Sequence, residues 1–151
     1  MPRIRQATVK DLPRILVLYQ QLNLDGHAAS PKDSNTYARL FHRIERDKAQ
    51  RLVVLEDKGE VVGTVVIIIV PNLSHYGRPW CELENLVVEA KAKRRGYGRM
   101  LMAYAERLAQ KAGCYKIQLM SRWSRAEEAH KFYEALGYES PARAFRKYLR
   151  S

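Results

Sequence analysis

Between residues 91 and 101 the chain reads KAKRRGYGRML, with four cations in five positions, then Gly96 and Gly98 around Tyr97, then an apolar run. Two glycines one residue apart leave room for a ligand to approach the backbone, and a helix starting there offers unpaired N–H groups and a positive dipole. With Lys93, Arg94, Arg95 and Arg99 alongside, the stretch fits a diphosphate cradle. A dinucleotide fingerprint would need a third glycine near position 101, where Leu101 stands, and a triphosphate loop would need Gly-Lys-Ser/Thr, which this stretch lacks. Just upstream, Glu82 and Glu84 are two apart in WCELENLVV (80–88), so on a strand both project from one sheet face while Asn85 takes the other. Such a pair can relay a proton, attract a cationic substrate, or be a solvated pair of carboxylates. Downstream, in AHKFYEAL, Ala129, Phe132 and Leu136 form a buried stripe and Tyr133 sits at its margin, where a phenol could face a cavity or be a core-edge tyrosine.

These residues need elements to hold them. RIRQAT (3–8) reads as a strand, and Thr8 with Asp11 resembles a helix start opening a helix through Leu22. A second helix is expected over 34–46, with Tyr37, Leu40, Phe41 and Ile44 on one stripe. RLVVLEDKGEVVGTVVIIIV reads as two strands joined at Asp57-Lys58-Gly59-Glu60. After 80–88, a helix from Gly98 to Ala112 is striped by Leu101, Ala105, Leu108 and Ala112 and stopped by Gly113. YKIQLM reads as a strand, SRAEEAHKFYEAL as a helix ended by Gly137, and AFRKYLR as a last strand. The order β-α-α-β-β-β-α-β-α-β is α+β with α/β character.

The 151 residues fit a single domain, 1–151, and the longest apolar run, VVGTVVIIIV, is too short for a membrane span. The N-terminus lacks the apolar core of a signal peptide, and Cys81 and Cys114 have no metal-type spacing, which implies a cytoplasmic, reducing setting and no metal site. Charge is uneven: residues 1–90 hold 12 Lys and Arg against 11 Asp and Glu, whereas 91–151 hold 15 against 5, so +10 of the net +11 lies in the second part. That asymmetry points to a polyanionic partner, a phosphorylated cofactor or nucleic acid.

LENLVVEAKAKRRGYGRMLM followed by AHKFYEALGYE resembles the two signature segments of the GNAT superfamily of acetyl-CoA-dependent N-acetyltransferases. The first is similar to the family's pyrophosphate loop, Q/R-x-x-G-x-G/A, with Lys93 in the Gln/Arg position. The second is similar to the helix carrying a Phe-Tyr or Leu-Tyr pair and ending in Gly-Phe or Gly-Tyr, with Ala126 where many members have an Asn. The resemblance implies a mixed central sheet of about six to seven strands flanked by about four helices. It implies that backbone groups of Leu86, Val87 and Val88 hold the pantetheine arm and polarise the carbonyl, and that Lys93, Arg94, Arg95, Gly96, Tyr97, Gly98 and Arg99 hold the diphosphate of acetyl-CoA, a cosubstrate needing no metal. It further implies Tyr133 as general acid toward the coenzyme A thiolate and a carboxylate as base, Glu84 ranked first and Glu82 second. His75 and His130 are read as surface residues.

The expected activity is acetyl transfer to a primary amine by direct attack in a ternary complex. A small-molecule amine is the first expected acceptor and a protein N-terminus or lysine the second. Asp25, His27, Tyr37, His75, Tyr76 and Trp80 are expected to frame it. A membrane partner is not expected, and a homodimer is left open. A basic nucleic-acid-binding module, using Arg122, Trp123, Arg125, Arg143, Arg146, Lys147 and Tyr148, is the less favoured alternative.

Overall fold

A computed structural model describes residues 1–22, 34–122 and 126–149, and the chain divides into two units, Met1–Gln118 and Leu119–Ser151. The first unit is built on a sheet in the order β1 (Arg3–Gln6), β2 (Gln50–Asp57), β3 (Glu60–Val70), β4 (Trp80–Val88), β5 (Ile117–Gln118). The first three pairings are antiparallel and β4–β5 is parallel, so the sheet is mixed. Lys58 (φ 52°) and Gly59 (φ 81°) are both left-handed, as a two-residue turn between twisted antiparallel strands requires. The turn expected at Asp57–Glu60 forms there.

Helix α1 (Leu12–Leu22) follows a 3-10 turn at Val9–Asp11. There the Thr8 amide donates to Asp11 Oδ2 at 2.8 Å and Asp11's own amide donates to the Thr8 carbonyl at 2.9 Å, the reciprocal pairing that opens a helix. Arg5 grips the same carboxylate with two bonds of 2.7 and 2.9 Å, and this holds the Asp11 carboxyl below its usual range. Helix α2 (Ser34–Arg46) buries Phe41, half-buries Tyr37 and Ile44, and leaves Leu40 exposed. Ile15, Leu18 and Phe41 meet Leu52, Val54 and Val87 in one apolar cluster, so α1 and α2 share a sheet face.

The opposite face is covered by α4 (Tyr97–Lys111), which buries Leu101, Met102, Ala105 and Ala109; Leu108 is half-buried and Ala112 exposed, so the stripe is rotated from the expected one. Gly63 permits this close approach, since a Cβ there would stand 3.0 Å from Leu101 Cδ1. Between β3 and β4, α3 (Ser74–Gly77) is a single turn whose His75 and Tyr76 have φ of 53° and 59°.

In the second unit a π-helical turn, Ala126–His130, runs into α5 (Lys131–Ala135), where Ala129, Phe132, Tyr133 and Leu136 are all half-buried. The described residues contain five strands and five helices, not six to seven and four. The strand expected from YKIQLM is reduced to Ile117–Gln118, and the described residues of AFRKYLR, 144–149, form no strand: Phe145 and Leu149 are 88% and 87% exposed. Alternation supplies strand propensity, but a strand exists only where a ladder partner meets it. Among the described residues no helix is long and apolar enough to cross a membrane.

Candidate active site

Strand β4 carries the site along its length. Its partners on β3 are Ile68 for Glu82, Val66 for Glu84, Thr64 for Val87 and Gly63 for Val88. Two residues on β3 therefore span three on β4, and the extra residue is a bulge at Asn85, whose φ of 54° is left-handed. The bulge resets the alternation, so Val87 lies on the face of Glu82 and Glu84, toward α1 and α2. It also turns Asn85 toward α1: the Asn85 side chain hydrogen-bonds Tyr19, whose phenol burial pushes up to about 12. Asn85 thus does not simply take the opposite face, because strict alternation fails at a bulge.

The two carboxylates share a face but not an environment. Glu84 is exposed, whereas Glu82 is half-buried and its Oε2 is shielded from solvent with no hydrogen-bond partner among the described residues. Burial raises the Glu82 carboxyl above its ordinary range; a bond from Gln118 opposes this, the Glu84 charge adds to it, and the Lys116 charge opposes it. Gln118 lies directly across the β4–β5 ladder from Glu82. That ladder has only the pairs Cys81↔Ile117 and Glu82↔Gln118, so Val87 and Val88 are paired with β3, and among the described residues Leu86, Val87 and Val88 have no partner on β5. Their free edge can take an extended arm as an added strand.

Beyond Val88 a 3-10 turn at Ala90–Ala92 leads into the loop. Gln21, in the last turn of α1, accepts from the Ala90 amide at 3.0 Å, and Arg14 pairs with Glu89 at 3.3 Å, pinning the loop's entry to α1. Arg94 (φ 68°) and Gly96 (φ 79°) turn the chain, and Gly96 caps α4. The first bond of the helix is Met100 N–H to the Gly96 carbonyl, so the amides of Tyr97, Gly98 and Arg99 lie ahead of the ladder. A Cβ on Gly96 would meet nothing within 4 Å. Lys93, Arg94, Arg95 and Arg99 are exposed around this space, and the first turn of α4 contains no acid. Tyr97 is buried beneath the loop, and its hydroxyl donates to Asp57 Oδ2, fastening the loop to the β2–β3 turn.

Tyr133 is on α5, its ring edge-on to Phe132 and to Tyr138 at centroid distances of 5.2 and 6.1 Å. Tyr37, Tyr76 and Trp80 are half-buried, exposed and half-buried respectively, and His75 is an exposed residue. Asp25, His27, Trp123 and Arg125 lie outside the described residues. Sequence reasoning did not single out Asp57, Tyr19, Lys116 or Gln118. Each acts through a partner distant in the chain, so no local spacing announces them. Among the described residues no cluster of His, Cys, Asp and Glu could hold a metal ion.

Strand β4 thus runs from a half-buried carboxylate, Glu82, toward a loop of glycines and exposed cations at the start of α4. The match to the acetyltransferase (GNAT) family model over residues 15–138 identifies the chain as a member of that family, an acyltransferase. It is 30% identical over 157 aligned positions to an aminoalkylphosphonate N-acetyltransferase of Salmonella typhimurium, covering 97% of this chain and 90% of the relative. It is 31% identical over 88 residues to a glucosamine 6-phosphate N-acetyltransferase of Trypanosoma brucei brucei, a match spanning 58% of this chain and 57% of that enzyme. Among solved structures, a putative acetyltransferase from Agrobacterium tumefaciens superposes with a TM-score of 0.87 at 30% identity, covering 97% of this chain and 99% of that one.

Proposed function

We propose that this protein, as one domain over 1–151, transfers an acetyl group from acetyl-CoA to the primary amine of a small molecule by direct attack in a ternary complex. The carrying observation is that one strand joins the open cradle at Gly96 to a half-buried carboxylate, Glu82. The residues fit the cosubstrate: there is space above Gly96, three amides precede the α4 ladder, and four cations surround them. When bound, acetyl-CoA supplies the activated thioester carbonyl. The amides of Tyr97, Gly98 and Arg99 and the charges of Lys93, Arg94, Arg95 and Arg99 hold the diphosphate, and the free edge at Leu86, Val87 and Val88 orients the arm and polarises the carbonyl.

An amine with a pKa near ~10 is mostly protonated at neutral pH, so the site must take a proton before the nitrogen can attack. Burial favours Glu82 for this role, because it raises the Glu82 carboxyl above its ordinary range and so strengthens it as a base, whereas Glu84 is exposed. Glu84 then serves as a second carboxylate attracting the cationic amine. Tyr133 is assigned as the proton donor to the departing thiolate because AHKFYEAL resembles the family's helix with a Phe-Tyr or Leu-Tyr pair. Relatives named for small amines bearing a phosphate or phosphonate support a small, anionic acceptor rather than a protein.

Release of free thiol from acetyl-CoA across a panel of small amines tests the reading. Glu82→Gln should cut kcat/KM by about 10²–10⁴-fold at neutral pH and recover in part at high pH, where the amine is already neutral. In the wild type kcat/KM should rise as pH climbs through the raised Glu82 pKa. A larger neutral-pH loss in Glu84→Gln than in Glu82→Gln would reverse the assignment, and no release with any amine would overturn the proposed activity.

A further inference from the structure

On the carboxylate face of β4 lies one cation that the transfer chemistry does not use. Lys116 directly precedes β5, and its carbonyl accepts from the Cys81 amide at 3.0 Å. The parallel pairing Cys81↔Ile117 and Glu82↔Gln118 puts Lys116 beside Trp80, one side-chain step from Glu82 on the same face. Its ammonium stands 5.2 Å from the Trp80 ring centre and 5.5 Å from that of Tyr115. It forms no ion pair with a carboxylate among the described residues, and it remains exposed.

The rings that hold Lys116 are themselves held. His75 stacks on Tyr115 with centroids 3.8 Å apart and planes 10° from parallel. It does so from a left-handed backbone, φ 53° at His75 and 59° at Tyr76, a strained conformation that persists only where neighbours impose it. The neighbours here are Asn72, whose amide donates to the Ser74 carbonyl, to Ser74 Oγ and to the Arg78 carbonyl at 3.1, 2.9 and 3.2 Å. Arg78 in turn donates to the carbonyls of Gly113 and Cys114 at 3.3 and 3.1 Å, so its charge is engaged with the backbone. Tyr115 is anchored by its amide to the Pro79 carbonyl at 2.9 Å. A strained turn, a stacked pair and two flanking rings converge on one lysine.

We infer that Lys116, braced by Trp80 and Tyr115, is the receptor for an anionic group on the acceptor, so that the preferred substrate is a short zwitterion whose ammonium meets Glu82 and whose phosphate, phosphonate or sulfonate meets Lys116. The placement suits this class: Lys116 lies two residues before Gln118, the ladder partner of Glu82, so the two side chains are diagonal neighbours on one face of the sheet. Opposite charges at the two ends also fix which end of the acceptor faces the thioester, a register that a single carboxylate cannot impose. This assignment rests on the proposed acetyl transfer and adds the acceptor's second anchoring point.

The test compares an aminoalkylphosphonate with the amino alcohol of the same chain length, by thiol release from acetyl-CoA. The wild type should favour the phosphonate by at least tenfold in kcat/KM. Lys116→Gln should raise KM for the phosphonate about 10- to 100-fold, the worth of one charged hydrogen bond, while the amino alcohol, reached only through the lost Lys116 charge near Glu82, changes by less than about threefold. Lys116→Arg should restore much of the preference, and His75→Ala, which unbraces Tyr115, should give an intermediate KM. A Lys116→Gln enzyme with an unaltered preference overturns the inference, as does a wild type that acetylates uncharged amines at least as well as the phosphonate. Absence of thiol release with every amine would instead refute the acetyl-transfer reading on which it rests.

Discussion

Replacing Gly96 with alanine separates the backbone's needs from the ligand's. Gly96 has φ 79°, where an L-residue pays roughly 1–2 kcal/mol, but its added methyl would meet no protein atom within 4 Å. For a chain of this size each kcal/mol moves Tm by about 2–4 °C, so the apo variant should melt about 2–8 °C lower and remain folded. The methyl instead occupies the space through which a phosphate must approach the Tyr97 and Gly98 amides. At acetyl-CoA one hundred times the wild-type Kd, the folded state gains about 2.7 kcal/mol, an upshift of about 5–11 °C; if Kd weakens a hundredfold, RT ln 2 leaves about 0.4 kcal/mol and ~1–2 °C. Differential scanning fluorimetry with and without acetyl-CoA measures both quantities. Gly113→Ala is the matched control, since Gly113 has φ 79° and equally open surroundings but follows the far end of the 15-residue α4. It should lower the apo Tm to a similar extent and keep the full acetyl-CoA shift. A Gly96→Ala protein that keeps the full shift would refute the placement of the diphosphate.

Tyr133→Phe should leave acetyl-CoA binding intact while lowering kcat by ~10²–10⁴-fold, and the deficit should shrink with an acyl donor whose thiol is more acidic. Retention of more than half the wild-type kcat, with chemistry rate-limiting, would return Tyr133 to a packing role. The Arg5 bonds lower the Asp11 pKa in the folded state, so their contribution is complete above the unfolded value near ~3.9 and is lost as pH falls through the depressed folded value. Asp11→Asn should therefore destabilise by about 1.5–3 kcal/mol at pH 7 and flatten the acid limb of stability against pH, as measured by urea unfolding from pH 7 to pH 2; an unchanged acid limb would show that other carboxylates carry it.

What the sequence determined is what depends on neighbours in the chain. Gly96 and Gly98 mark the turn into α4, because a left-handed cap and a helix start are settled by a few consecutive residues. Thr8 with Asp11, the Lys58-Gly59 turn and the helix over 34–46 were legible for the same reason. What only the tertiary structure decided depends on pairing across the sheet. Glu82 and Glu84 are equivalent in sequence, yet β5 and Gln118 lie beside one of them, and burial differentiates their chemistry. The bulge at Asn85 exists because β3 and β4 must match registers on both sides of it, and nothing in ELENLVV reports that mismatch. AFRKYLR has the alternation of a strand, yet its described residues, 144–149, form no ladder, since strand propensity is local and a hydrogen-bonding partner is not. Lys116 reads as an ordinary surface cation until parallel pairing with β4 brings it to Trp80, because in a sheet the residues that meet are chosen by register and not by distance along the chain.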